Sequence, residues 1–326
     1  MIKEYDKPVI VISKCLGFDA CRFNGDVVND KFIEKLSHYV TYYTVCPEVE
    51  IGLGTPRKPI RLVSTKPNGN VKLVQPETEL DLTNKMQQFS TQFLDSLEDV
   101  DGFILKNRSP SCAVTDAKVL SDSESPSTIR KQGGIFGEAV LERFSHLAVE
   151  DEGRLKNYKI REHFLVKLFT IARFKRIKRK CNFKDLLHFH SSNKYLLMAY
   201  NQLKLKELGR ITANGKKYRV KELYEQYEKI LLDILSEMPT HRSHINVLQH
   251  IMGYFSKELS KEEKVFFMEL LEQYRENMVP LSSPIGVLKS WNARFKNAYL
   301  AAQTFFSPYP EQLIAITDSG KGRNFS

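Results

Sequence analysis

The sequence predicts an α/β N-terminal domain with a mainly parallel sheet, followed by an all-α C-terminal domain. Two observations predict it. Short β-rich runs alternate with helical patterns through the first 150 residues, the arrangement that crossover connections between parallel strands produce. From about Leu155 long helical patterns follow one another with few strand signals. The charge also changes sign: residues 1–150 carry 18 Lys+Arg against 21 Asp+Glu, a net −3, and residues 151–326 carry 31 against 18, a net +13.

The elements follow in order. Pro8-Val-Ile-Val-Ile-Ser13 is a short buried strand, Val40 to Val45 a second, and Gly102-Phe-Ile-Leu-Lys106 a third. Between them, Asp30 to Tyr39 places Phe32, Ile33 and Leu36 at helical spacing. Leu82 to Leu97 does the same with Met86, Phe89, Phe93, Leu94 and Leu97. Leu120 to Thr128 is a polar loop by composition, and Gly133-Gly134 precedes a helix from Ile135 to Phe144. Six helical patterns follow, over 158–179, 183–208, 220–238, 241–257, 261–277 and 284–306, punctuated by Pro239, Pro280 and Pro308. No fixed-period repeat is present, so a solenoid is not favoured. The division expected is 1–150, 151–316 and a flexible tail over 317–326.

Composition excludes several classes. The 326 residues suit two domains at ~100–200 residues each. The apolar runs reach about four residues, such as Val9 to Ile12, where a bilayer span needs ~18 or more. The first eight residues carry no apolar signal core. The expectation is a cytoplasmic protein without membrane contact and with no protein partner to be inferred. Five cysteines, an odd number, then do not suggest a disulfide framework.

The cysteines carry the strongest signal. Cys15 comes two residues after the first strand, Cys46 directly after the second, and Cys112 follows the third across Asn107 to Ser111. Ligand crevices of open parallel sheets lie outside the carboxyl ends of the strands, so three cysteines at three such ends converge despite their separation. The spacing C-x5-C-x24-C-x65-C is neither a ferredoxin run nor a zinc ribbon. By spacing alone zinc, an iron–sulfur cluster and buried thiols all fit. Glu48 follows Cys46, and Ser109 and Ser111 bracket Pro110 before Cys112. A carboxylate beside a metal site can act as general acid or base, and a hydroxyl can donate to a bound anion or sulfide. Taken alone, Glu48 reads as a helix or turn cap and Ser109 as a turn former. No Walker or G-x-G-x-x-G motif is present, and Gly52-Leu53-Gly54 and Gly133-Gly134 are weak phosphate signals.

Ser13-Lys-Cys-Leu-Gly-Phe-Asp-Ala-Cys-Arg-Phe-Asn-Gly25, Val45-Cys-Pro-Glu48, Thr55-Pro-Arg57 and Leu105-Lys-Asn-Arg-Ser-Pro-Ser-Cys112 together resemble the thiouracil desulfidase (TudS-like) domain over about residues 7–150. Arg161-Glu-His-Phe164, His190 to Tyr200, Asn246 to Phe255 and Ser307-Pro-Tyr-Pro310 resemble the helical domain of YbgA-like proteins over 155–315. The fusion resembles RudS-type desulfidases, which remove sulfur from 4-thiouridine in tRNA. The resemblance implies a [4Fe–4S] cluster held by Cys15, Cys46 and Cys112, with one iron open to the substrate sulfur. It implies that Glu48 activates water and shuttles protons, and that Ser109 hydrogen-bonds near the departing sulfur or the ring. No net redox change is required. Cys21 is outside the implied ligand set and is expected as a buried thiol; as a fourth ligand it would close the cluster. Ala113 stands where a glycine usually follows the last cysteine, and Asn24 where an aspartate is common.

The basic half suits a polyanion. Arg173, Lys175, Arg176, Lys178, Arg179 and Lys180 put six positive charges into nine residues, with Phe174 and Ile177 on a packing face. Such a helix face neutralises phosphates, which makes these residues the expected RNA contacts and tRNA the expected partner. Lys204, Lys206, Arg210, Lys216, Lys217 and Arg219 form a second basic stretch. His188, His190, His241, His244 and His250 contain no metal motif and read as packed or hydrogen-bonding. Two other readings stay open: a desulfidase of free thiouracil or small thionucleosides, and a non-enzymatic protein that binds metal or nucleic acid.

Overall fold

The structure, a computed structural model, describes residues 5, 7–66, 68–123, 125–215 and 217–315. The tail 317–326 and Lys216 lie outside the described residues. The chain packs as two compact units, Met1–Ala172 with Tyr309–Ser326, and Arg173–Pro308. The division falls inside one long helix, further along than the change in sequence character near Leu155.

In the first unit the order is β1 (Val9–Ser13), α1 (Lys31–Leu36), β2 (Thr41–Val45), α2 (Pro47–Glu50), β3 (Arg61–Ser64), β4 (Lys72–Gln75), β5 (Leu80–Asp81) and α3 (Thr83–Asp95). Then come β6 (Gly102–Leu105), β7 (Ala117–Ser121), β8 (Thr128–Gln132), α4 (Ile135–Phe144), β9 (Ala148–Asp151) and the long helix α5 (Tyr158–Lys180). Sheet A runs β2-β1-β6-β9 and all its pairings are parallel. Its central strands β1 and β6 read VIVIS and GFIL and are buried almost throughout, as strands covered on both faces must be. Ile10, Val11, Ile12, Phe103, Ile104 and Leu105 are fully enclosed.

The polar loop expected over 120–128 shares its ends with a second sheet that the sequence did not predict. Sheet B runs β5-β4-β3-β7-β8, with β3 and β7 parallel and the other neighbours antiparallel. Its strands are two to five residues long and partly polar, so they show little periodicity. The chain reaches it twice from sheet A, once after Cys46 and once after Cys112. The α1 start is capped by Asp30, whose Oδ1 accepts from the amides of Phe32 (2.8 Å) and Ile33 (3.2 Å). The segment after Pro308 belongs to this unit: Tyr309 donates its hydroxyl to Glu162 Oε1 (3.2 Å), and Leu313 is buried.

The described part of the second unit is helical and has no strand. After the end of α5 come α6 (Phe183–Ser192), α7 (Lys194–Tyr200), α8 (Gln202–Ala213), α9 (Val220–Ile234), α10 (His241–Met252), α11 (Lys261–Arg275), α12 (Ser282–Phe295) and α13 (Ala298–Ala301). The single pattern expected over 183–208 is three helices. Its breaks are asparagines whose side chains compete with the helix. Asn193 donates to the Phe189 carbonyl (2.8 Å), and Asn201 accepts from the amides of Leu203 (3.1 Å) and Lys204 (3.0 Å) as the cap of α8. Ser260 and Glu263 close a reciprocal capping box on α11. Phe174, Phe189, Tyr224 and Tyr227 form one aromatic core cluster, with Phe174 and Tyr227 stacked at 5.5 Å. Among the described residues no helix is long and apolar enough to cross a membrane.

Candidate active site

The ends of β1, β2 and β6 lie side by side in sheet A, because β2-β1-β6 are consecutive neighbours. The chain therefore delivers Cys15, Cys46 and Cys112 to one edge, as expected. Bonds between the strand ends fix that edge. The Lys14 amide donates to Val45 O (2.8 Å), and the Lys106 amide donates to Ser13 Oγ (2.9 Å). Cys15, Cys21, Cys46 and Cys112 are all reduced and buried.

Cys21 joins the group. Its thiol is within hydrogen-bonding reach of the Cys15 and Cys46 thiols. The bond with Cys15, opposed by that from Cys46, and burial together push Cys21 up to about 11. The bond with Cys21 and then burial push the Cys46 thiol well above its ordinary range. Burial, followed by the charges of Glu48 and Cys46, pushes Cys112 up to about 12. Among the described residues no three His, Cys, Asp or Glu side chains stand at the spacing of a single metal ion. The cysteines of an iron–sulfur cluster bind different atoms of a wider body, so the donor set is the relevant test. The buried thiols of Cys15, Cys46 and Cys112 are a soft donor set that suits a thiophilic cluster, and the residues fit that group, with Cys21 a further buried thiol beside them.

Glu48 ties the two cysteine loops together. It lies in α2, which starts at Cys46 with Pro47 in the first turn. Its Oε1 accepts from the hydroxyls of Ser111 (2.6 Å) and Ser109 (3.3 Å). Its Oε2 accepts from Arg57 Nε (2.9 Å) and Nη2 (2.5 Å). The Arg57 and Glu48 side chains are 5% and 12% exposed, so this ion pair is desolvated. Arg57 Nη1 also donates to the Cys21 carbonyl (2.9 Å). Ser109 Oγ in turn accepts from the amides of Ser111 (3.2 Å) and Cys112 (3.1 Å). Ser111 Oγ lies 3.7 Å from Cys112 Sγ and 2.9 Å from Ser109 Oγ. Sequence reasoning placed Glu48 and Ser109 here and missed Arg57 as a site residue. Its signal was the arginine in the Thr55-Pro56-Arg57 stretch.

The glycine pair is a packing device. The amides of Gly134, Ile135 and Gly137, at the start of α4, donate to the carbonyls of Ala113 (2.8 Å), Pro110 (3.2 Å) and Ser111 (3.0 Å). A Cβ on Gly137 would stand 2.0 Å from the Ala113 carbonyl oxygen, and one on Gly134 2.4 Å from Ser111. Only glycine lets the helix close on the Cys112 loop.

The basic face of α5 is less open than its sequence implies. Arg173 Nη2 donates to the Pro308 carbonyl (3.4 Å), and Lys178 pairs with Glu228 (2.5 Å). In the second basic stretch Lys204 pairs with Asp233 (2.7 Å). Of the histidines, His190 and His244 hydrogen-bond to the hydroxyls of Tyr227 (3.2 Å) and Tyr274 (2.8 Å), while His188 is exposed.

Comparison with known proteins matches two separate stretches of the chain. Residues 10–152 match the family described as 2-thiouracil desulfurase, and 194–310 match DUF1722, a domain of unknown function. The chain is 28% identical over 158 residues to the uncharacterized protein YbgA of Escherichia coli (strain K12), covering 48% of this chain and 93% of that protein. It is 32% identical over 110 residues to the uncharacterized protein YbbK of Bacillus subtilis (strain 168), covering 32% of this chain and 72% of that protein. A solved structure described as the [4Fe-4S]-dependent thiouracil desulfidase TudS is 23% identical. It covers 46% of this chain and 93% of its own, with a TM-score of 0.34.

Proposed function

The chain belongs to the 2-thiouracil desulfurase family and carries a DUF1722 domain after it; from that premise we propose that it hydrolyses 4-thiouridine in tRNA to uridine, releasing sulfide. The observation that carries the reading is the Glu48 carboxylate. It is held between Arg57 and two serine hydroxyls where the cysteines meet. Cys15, Cys46 and Cys112 would hold a [4Fe–4S] cluster, which when bound would supply Lewis acidity toward the thiocarbonyl sulfur.

The protein's own groups account for the proton transfers. The Arg57 guanidinium fixes Oε2 of Glu48, which leaves Oε1 as the working oxygen. Water adds to the carbon bearing sulfur, and Oε1 takes its proton. The carbon–sulfur bond then breaks, its electron pair leaves with sulfur, and the added hydroxyl gives its own proton to solvent as its oxygen becomes the carbonyl. Glu48 returns the proton, so that sulfide leaves protonated. One water is consumed, nothing is oxidised or reduced, and the base is regenerated. The Ser111 hydroxyl orients Oε1 through its 2.6 Å bond, and the Ser109 hydroxyl, whose bond to Oε1 is longer at 3.3 Å, would turn to donate near the departing sulfur or the ring, where charge develops.

The tRNA part of the reading draws support from the net +13 of residues 151–326. The family description favours free thiopyrimidines as a second reading. Steady-state rates on thiolated tRNA and on free 4-thiouracil separate the two. We expect kcat/KM to be higher for tRNA, and Cys46→Ala to lose turnover on both. Full activity in Cys46→Ala would sink the site assignment. Faster turnover of the free base would replace tRNA as the substrate.

A further inference from the structure

Sheet B carries a cationic row that neither the proposed chemistry nor the basic helix uses. Leu62 of β3 pairs with Val119 of β7, which sets Arg61 beside Lys118. Lys118 pairs directly with Lys131 of β8. Three positive side chains therefore stand abreast on three adjacent strands, spanning about 10 Å at the usual ~4.8 Å strand spacing. All three are exposed and line one cleft of about 530 Å³. Arg108 lines the same cleft, held there by the left-handed backbone of its own residue (φ 57°) and by its amide bond to Asp116 Oδ1 (2.6 Å). Asp116 is the one acidic residue of the lining.

Like charges directly opposite across strands are destabilising. Asp116 is the one counter-charge in the lining, and its Oδ1 is taken up by the Arg108 amide. Among the described residues the side chains of Arg61, Arg108, Lys118 and Lys131 make no hydrogen bond or ion pair. A sheet that keeps such a row presents a positive strip to an anion. The lining also gives a direction. Arg108 and Pro110 belong to the loop that carries Ser109, Ser111 and Cys112, so the cleft borders the site where the sulfur-bearing base would sit.

We propose that the Arg61–Lys118–Lys131 row, with Arg108 at its end, is a phosphate-binding track for the RNA strand that carries the thiolated nucleotide. This rests on the tRNA reading and deepens it. The catalytic unit then grips the backbone flanking the target base itself, rather than leaving all RNA contact to the second unit. A row of this length suits consecutive phosphates of a strand rather than one isolated oxyanion. Exposed lysines and arginines bind phosphate without reading sequence, as a positioning contact should.

The test is the salt dependence of binding to an unmodified tRNA transcript, followed by fluorescence anisotropy with the full chain. Each phosphate contact contributes about 0.7–0.9 to the slope of log K against log salt. Arg61→Gln/Lys118→Gln/Lys131→Gln should lower the slope by about 2 and weaken binding tenfold or more at low salt. Arg61→Lys/Lys118→Arg/Lys131→Arg, which keeps the charge, should bind as the wild type does. If the glutamine triple loses its thermal transition, Lys118→Gln alone should lower the slope by about 0.7–0.9. Wild-type affinity and slope in a folded glutamine variant would overturn the track and leave the tRNA reading standing. A wild-type chain that binds no RNA would overturn both.

Discussion

Replacing Gly137 by alanine tests how the Cys112 loop is held. The added Cβ would stand 2.0 Å from Ala113 O and 2.9 Å from Cys112 O, whereas an unstrained contact starts at 3.4 Å. The Ala113 carbonyl would have to retreat by the difference, about 1.4 Å. That carbonyl is backbone, and it accepts the Gly134 amide, so it cannot turn aside as a side chain would. Overpacking of this kind costs ~1–3 kcal/mol, with the upper end expected against fixed backbone, while alanine returns ~1 kcal/mol of helix propensity. The net expectation is a loss of ~1–2 kcal/mol, or a fall in Tm of roughly 2–8 °C for a unit of this size. Gly209→Ala is the control. It lies within α8, and its Cβ would meet nothing closer than His190 Nε2 at 3.8 Å. It should stabilise by about 0.5–1 kcal/mol. Thermal unfolding followed by circular dichroism gives the sign of each change. Iron per chain after anaerobic reconstitution should fall in Gly137→Ala and hold in Gly209→Ala. A Gly137→Ala protein as stable as wild type, with full iron, would refute the packing argument.

Two further outcomes follow from the same geometry. Glu48→Gln can turn its amide so that oxygen faces Arg57 and NH2 faces Ser109 and Ser111, both of which can accept. It should keep its iron and lose about 10²–10⁴ in kcat, measured as sulfide release; an unimpaired kcat would remove Glu48 as the base. Burial is the main cause that lowers His244 to about 4 from 6.5, so the folded second unit resists a proton that the unfolded chain accepts. The unfolded state binds more protons between those values. Stability is therefore full above pH 6.5 and is lost as pH falls towards 4, by about 2 kcal/mol between pH 7 and pH 5. Fluorescence of Trp291, the single tryptophan, reports this unit in urea titrations, and a midpoint that does not move with pH would contradict the assignment. The first unit is a poorer probe, because burial raises Asp151 to about 6 and lowers His163 to about 4, and the two shifts have opposite slopes.

The legible parts of the sequence were those whose structure depends on near neighbours. β1, β2 and β6 are short β-rich runs next to cysteines, and the spacing of strand and cysteine was enough to bring Cys15, Cys46 and Cys112 to one edge. Sheet B was hidden because β5 has two residues and β8 is mostly polar, so neither shows a period. With it went the cationic row, since nothing local says that Arg61 and Lys118 are partners; that follows from the β3–β7 register alone. Arg57 sits in the Thr55-Pro56-Arg57 motif, which does not by itself reveal its partner. Its contact with Glu48 needs the 52–57 segment to fold back over α2. The six charges at the end of α5 read as one open face. Lys178 turns to Glu228, on a helix far along the chain, and Arg173 to the Pro308 carbonyl. Charge density in a sequence does not reveal which charges have found partners.

The central claim is hydrolytic removal of sulfur from 4-thiouridine at the cysteine and Glu48 site. Its most direct test is a stoichiometry. Anaerobically reconstituted protein of measured iron content is incubated with bulk bacterial tRNA, and 4-thiouridine, uridine and sulfide are quantified after digestion. The account predicts that one uridine and one sulfide appear for each 4-thiouridine lost, with no added reductant or oxidant. Undiminished 4-thiouridine in a sample that holds its iron would contradict it, as would sulfide release that ceases without an electron donor.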